Sequence, residues 1–169
     1  MIAALLGLLA QAAVLPAPTG VVEGRAGDLK VIHIAVPDLD AFERGWAITT
    51  PGANITTTTK LIVGKPSFTT VLFSGCTRNA AGECHLSVSF RILSPDSSVY
   101  DGMDGAARMR LFDGPVPADN NIRAGQPMIG LRVEPGEALG LYRLIASTTD
   151  EVAKQTARTE IILSAKVEK

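Results

Sequence analysis

The chain has 169 residues, 46% of them hydrophobic and 20% charged, which is enough for one packed domain and too apolar for general disorder. A formal net charge of -1 offers no basic face on which a phosphate backbone could supply binding energy, so nucleic acid is excluded as a partner. Only one Trp, two Tyr and five Phe are present, and Thr and Val crowd the strand-like runs, so the core is predicted to be aliphatic and β-rich.

Residues 1 to 15, MIAALLGLLAQAAVL, carry no charge and no Pro. The run is too short to span a bilayer and fits the apolar part of a signal peptide. Ala10-Gln11-Ala12 supplies a small-x-small cleavage pattern, so residues 1–12 are assigned to a leader, with no stable membrane insertion after its removal. No Cys lies near that point, which disfavours a lipid-anchored form. Residues 13–28 mix Pro, Gly and charge without periodicity and are predicted to be a flexible lead-in to a domain spanning 29–169.

Leu29 to Val36 reads as the first strand and Pro37 ends it. Asp38 and Asp40 then offer helix N-cap chemistry ahead of AFERGW, a short helix or turn with Phe42 and Trp46 four apart on one side. Trp46 is predicted to plug one end of the domain with Phe42; the competing reading is a ligand-stacking platform. Ile55 to Val63, with four consecutive Thr, reads as a half-exposed strand and a candidate sheet edge. Asn54-Ile55-Thr56 matches a glycosylation acceptor, a pattern too common to carry weight.

The clearest alternation in the chain is Cys84, Leu86, Val88, Phe90 and Ile92 against His85, Ser87, Ser89 and Arg91, the pattern of a strand with one buried side. With Phe68 to Cys76 before it and the polar Thr77 to Glu83 between, the two runs are predicted to pair as a hairpin, placing Cys76 opposite Cys84 and Leu72 opposite Val88. A cross-strand Cys76–Cys84 disulfide is sterically feasible there and agrees with an exported chain. Nothing near either thiol is activating except His85, which the alternation turns to the opposite side of the strand, and the spacing is not that of C-x-x-C.

The segment from Ser94 to Asn121 is dense in Asp, Gly and Pro around a short Arg108 to Phe112 strand. Asp96, Asp101, Asp104 and Asp113 could gather at a cation, but their spacing fits no EF-hand loop and Asp-Gly pairs ordinarily make turns. Further strands are predicted at Gln126 to Glu134, Leu139 to Ala146 and Arg158 to Val167. Seven or eight short, turn-punctuated strands and no long amphipathic helix define an all-β class.

PGEALGLYRLIASTTDE resembles the penultimate strand of immunoglobulin-like sandwiches. That resemblance makes Tyr142 a corner tyrosine, its hydroxyl bonded back to the backbone upstream. The order of features from Phe42 to Val167 also resembles a group of small exported bacterial proteins of unassigned function. It implies an immunoglobulin-like antiparallel β-sandwich in the cell envelope, periplasmic or secreted, and carries no catalytic residue across.

His33 and His85 are the only neutral-pH bases, and neither sits in a catalytic motif. Gly-x-Ser-x-Gly, His-Glu-x-x-His and Gly-rich phosphate loops are absent. The sequence therefore predicts no cofactor and a non-catalytic binding or structural role, with another envelope protein as the partner class. Two alternatives remain: a module that recruits a partner strand at the Ile55 to Val63 edge, and a copper-binding protein using Met103, Met109 and Met128 with a histidine.

Overall fold

The computed structural model describes residues 17–47 and 55–168. The proposed leader, the start of the lead-in and Asn54 lie outside the described residues. Eleven strands and one helix follow in order: β1 (Val21–Ala26), β2 (Leu29–Val36), α1 (Leu39–Ala47), β3 (Lys60–Ile62), β4 (Ser67–Ser74), β5 (Glu83–Leu93), β6 (Val99–Asp104), β7 (Met109–Pro115), β8 (Arg123–Ala124), β9 (Ile129–Leu131), β10 (Gly140–Asp150) and β11 (Gln155–Lys166). Three of them, β3, β8 and β9, are no longer than three residues. Two of the expected strands, Ile55 to Val63 and Gln126 to Glu134, shrink to β3 and β9, and β1 and β6 form where a lead-in and a loop were expected.

Two sheets pack face to face. One runs β1-β2-β4-β8, with β9 also on β4; the other runs β3-β11-β10-β5-β6, with β7 also on β5. All pairings between these strands are antiparallel except β3 with β11. The chain is an all-β sandwich of two sheets with one short helix, and its alternation predicts the all-β class. Val31, Val71, Phe73, Leu86, Val88 and Phe90 fill one half of the interior. Leu61, Ile92, Leu131, Tyr142, Leu144 and Ile161 fill the other.

The hairpin between Phe68–Cys76 and Cys84–Ile92 does not form. β4 pairs with β2 and β5 with β10, so the two strands belong to opposite sheets. The cause is a third apolar cluster that the alternation of β5 cannot reveal: α1 lies on the outer face of the first sheet, where Phe42 packs with Ile34, Val36 and Leu72. β4 is therefore covered on both faces, Val71 and Phe73 turned inward and Phe68 and Leu72 turned toward the helix. Such a strand has no period-two signal to set its register. The Cys76–Cys84 disulfide is present, Cα atoms 6.1 Å apart, but it fastens one sheet to the other across the β4–β5 crossing instead of stapling a hairpin.

The stretch predicted as a lead-in contains β1, paired with β2 from Val21↔Ile34 to Ala26↔Leu29. Ahead of it Thr19 exchanges both backbone hydrogen bonds with Ile162 of the opposite sheet, at 2.8 and 3.1 Å. β1 thus closes one side of the sandwich. Gly24 permits the approach: a Cβ there would stand 2.6 Å from Thr159 Cγ2 and 3.2 Å from Val31 Cγ2. Pro37 and Asp38 behave as read, the Asp38 carboxylate accepting from the Ala41 N–H at 2.9 Å at the start of α1. Of Ile55 to Val63 only Lys60–Ile62 is strand. It does lie at a sheet edge. The chain around it is tied to the other sheet, however, through Thr58 N to Ala35 O and Gly64 N to Val133 O, at 2.9 and 2.8 Å.

Candidate functional site

Tyr142 is buried, and its hydroxyl donates to the carbonyl of Ala138, four residues upstream, at 3.0 Å. Burial raises its phenol pKa. The ring of Tyr100 meets it edge-on, centroids 5.3 Å apart at 88°. Phe42 and Trp46 stack at 6.0 Å, but on the outer sheet face under α1 and not at an end of the sandwich. That placement, against Ile34, Val36 and Leu72, corrects the expected plug.

Both histidines are fully engaged. His33 points into the interior between the sheets and is inaccessible to solvent. Thr69 Oγ1 donates to the Ile34 carbonyl at 2.9 Å, so toward His33 Nε2, 2.8 Å away, it acts as acceptor. The Nε2 therefore carries the proton, and Nδ1 accepts from Thr159 Oγ1 at 3.2 Å. Burial lowers the imidazole pKa to about 3, so this side chain is a neutral strut. His85 is half-exposed, with Nδ1 2.5 Å from Asp113 Oδ1 and Nε2 3.0 Å from Asn79 Nδ2. An N–H at Nδ1 and an acceptor at Nε2 satisfy both contacts. The Asp–His pair thus points its free nitrogen at a turn amide and not at a nucleophile.

The four aspartates are dispersed. Asp96 accepts from Ser94 Oγ and Ser98 N, which lowers its pKa to about 2. Asp104 accepts from Ala106 N at 2.8 Å, and Asp113 faces His85. Among the described residues no group of three or more His, Cys, Asp or Glu is placed to hold a metal ion. Met103 packs between the two inner clusters, Met109 on one of them, and Met128 on the outer face beneath α1.

A concave site lies where no sequence motif points. The side of the sandwich opposite β1 is bridged over half its length: Gln126 N, next to β8, bonds Leu111 O of β7 at 2.7 Å, and the rings of Phe73 and Phe112 stand 5.1 Å apart. Over the other half, β6 and β9 face each other across a cleft of about 560 Å³, within the usual range for small-molecule sites. The half-buried side chains of Met103 and Ile129 line its floor, over the buried core residues Ile92 and Leu131, and polar and apolar groups share its walls. Tyr100 forms one end. Its hydroxyl lies 2.8 Å from Arg132 O and 2.7 Å from Glu137 Oε2, and its pKa is raised by burial first and by Glu137 second. Asp101, Arg132, Glu134 and Glu137 stand on the rim. Glu137 also accepts from Glu134 N at 2.6 Å, fixing the turn at Pro135 and Gly136.

The β6 wall was missed because Asp101-Gly102 reads as a turn. Both residues do have positive φ, 47° and 68°, but the chain continues as an edge strand whose register on β5 shifts between Arg91 and Leu93. A bulge of this kind re-aims side chains at a sheet rim.

No family model and no curated protein matches the chain. Among solved structures, the crystal structure of a Niemann-Pick type C2 protein from Japanese carpenter ant aligns with 90% of this chain and 100% of its own, at 8% identity and a TM-score of 0.33. The fold described above rests on the chain's own sheets. Among the described residues no helix is long and apolar enough to cross a membrane.

Proposed function

We propose that the protein is an exported, non-catalytic binding protein of the cell envelope that holds a small, partly apolar ligand between its sheets. The observation that carries this reading is the open stretch between β6 and β9, where a cleft of about 560 Å³ descends to Ile92 and Leu131 while the rest of that side is bridged. The Cys76–Cys84 disulfide and the apolar residues 1–15 support export to an oxidising compartment. Strand addition draws less support, because β6 is broken by its bulge and β3 is flanked by ties to the other sheet. Copper binding draws less as well: Met128 lies on a different face from Met103 and Met109, and both nitrogens of His33 are occupied.

Native mass spectrometry of the protein recovered from its own cells tests the reading. The expected spectrum lacks the leader mass, shows the two-hydrogen deficit of a disulfide, and carries an added small molecule. That adduct should disappear in a Met103→Trp variant, in which the indole fills the cleft. A bare mass from the natural source, or an adduct that Met103→Trp retains in full, would overturn it.

A further inference from the structure

The outer face of the first sheet carries a second, smaller concavity beside the part that α1 covers. β4 turns Val71 and Phe73 inward, so Ser74 points outward. The ladders place Lys30 directly opposite Ser74 and Arg25 directly opposite Lys30. The three side chains thus form a row across β4, β2 and β1, with Cβ atoms about 5 Å apart from one strand to the next.

Two independent observations single this row out. Like charges directly opposite each other weaken a ladder, yet Arg25 and Lys30 stand so, and neither has an ion-pair partner among the described residues. Beside them Ser74 is only 7% exposed, and its hydroxyl makes no hydrogen bond among the described residues. A hydroxyl withdrawn from water and given no partner costs stability unless a bound group supplies the bond. All three residues line a concavity of about 230 Å³, together with Glu23, Ile32, Asn120 and Ile122. Glu23 stands two residues from Arg25, about 7 Å along β1, opposite Ile32, so the end of the concavity at Ser74 keeps an excess of positive charge. The volume is below the usual range for drug-sized ligands, which limits the occupant to a few heavy atoms. Half-buried Ile32 and half-exposed Ile122 give that occupant an apolar wall.

We propose that this row is a binding site for a small aliphatic carboxylate. The carboxylate lies between the Arg25 and Lys30 side chains and accepts a hydrogen bond from the Ser74 hydroxyl, while a short hydrocarbon body rests against Ile32 and Ile122. The site is on a different surface from the β6–β9 cleft and stands independently of it.

NMR titration of the intact, ¹⁵N-labelled protein with pentanoate, acetate, inorganic phosphate and pentylammonium, at matched ionic strength, tests the proposal. Pentanoate is expected to give saturable shifts centred on the amides of Arg25, Lys30 and Ser74 and to bind about tenfold more tightly than acetate, because part of its longer chain leaves water. Pentylammonium should leave those amides unmoved. Ser74→Ala should weaken pentanoate about tenfold, the scale of a hydrogen bond to a charged group, and Lys30→Gln about threefold, the scale of an exposed ion pair. Ser74→Ala removes a hydroxyl that has no protein partner, and a melting curve reports whether the variant is folded; if it is not, Lys30→Gln decides. Phosphate binding more tightly than pentanoate would overturn the carboxylate assignment. Shifts that grow linearly, that scatter over other surface cations, or that both variants leave unchanged would overturn the site itself, with the β6–β9 reading unaffected.

Discussion

Thr159 of β11 donates its hydroxyl to Nδ1 of His33 of β2, 3.2 Å away, and so joins the two sheets through the middle of the sandwich by a side-chain bond. The bond exists only while the imidazole is neutral, because a protonated Nδ1 has no lone pair to accept with. The folded protein keeps that nitrogen bare down to about pH 3, against 6.5 for a free histidine. The unfolded chain therefore takes up a proton that the folded one refuses, and this contribution to stability is complete above pH 6.5 and is lost as pH falls toward 3. The slope is at most about 1.4 kcal/mol per pH unit. Urea unfolding of the natural protein and of His33→Gln across that window should show a shallower dependence in the variant; parallel curves would refute the assignment.

Removing the hydroxyl of Tyr142 leaves the Ala138 carbonyl without its partner while keeping the ring in the core. Tyr142→Phe should cost about 1 to 3 kcal/mol. An unchanged melting curve would mean that the corner bond contributes nothing in solution.

Thr148 points into the interior, opposite Val88 and Ala157 on the flanking strands, and its hydroxyl has no partner. A buried, unsatisfied hydroxyl costs stability that an isosteric methyl does not. Thr148→Val should therefore stabilise the protein by about 1 kcal/mol, a rise of about 2 to 4 °C in Tm for a domain of this size. A lower Tm would show that the hydroxyl is satisfied.

The Cys76–Cys84 bridge closes a loop of sequence separation 8. Chain-entropy reasoning gives about 2.5 kcal/mol for a loop that short. Replacing both cysteines with Ser should lower the urea midpoint by the corresponding amount and leave the slope unchanged; a change in slope would indicate that the layers themselves loosen.

Where a strand has one wet side, its sequence reports it. The alternation of Cys84 to Ile92 located β5 and its inward face, and Leu29 to Val36 was bounded to the residue by Pro37 and Asp38. β4 defeated the same reasoning because α1 dries its second face, so Phe68 and Leu72 looked like partners for β5 when they belong to the helix. β1 was obscured by the glycine that lets it approach Thr159. The cleft was invisible for a different reason: it is left by the relative placement of two short edge strands over buried core residues, which no local pattern encodes.

Cys84 opens β5 and Ile92 lies near its end; β4 runs the other way, from Ser67 beside Leu131 to Ser74 just before Cys76. The covalent fastening and the cleft are thus at opposite ends of the body, about 26 Å apart along the strand. Reducing that bond therefore releases the layers at the end farthest from the cleft, while the backbone bonds Gln126–Leu111 and Thr19–Ile162 keep the two sheets joined.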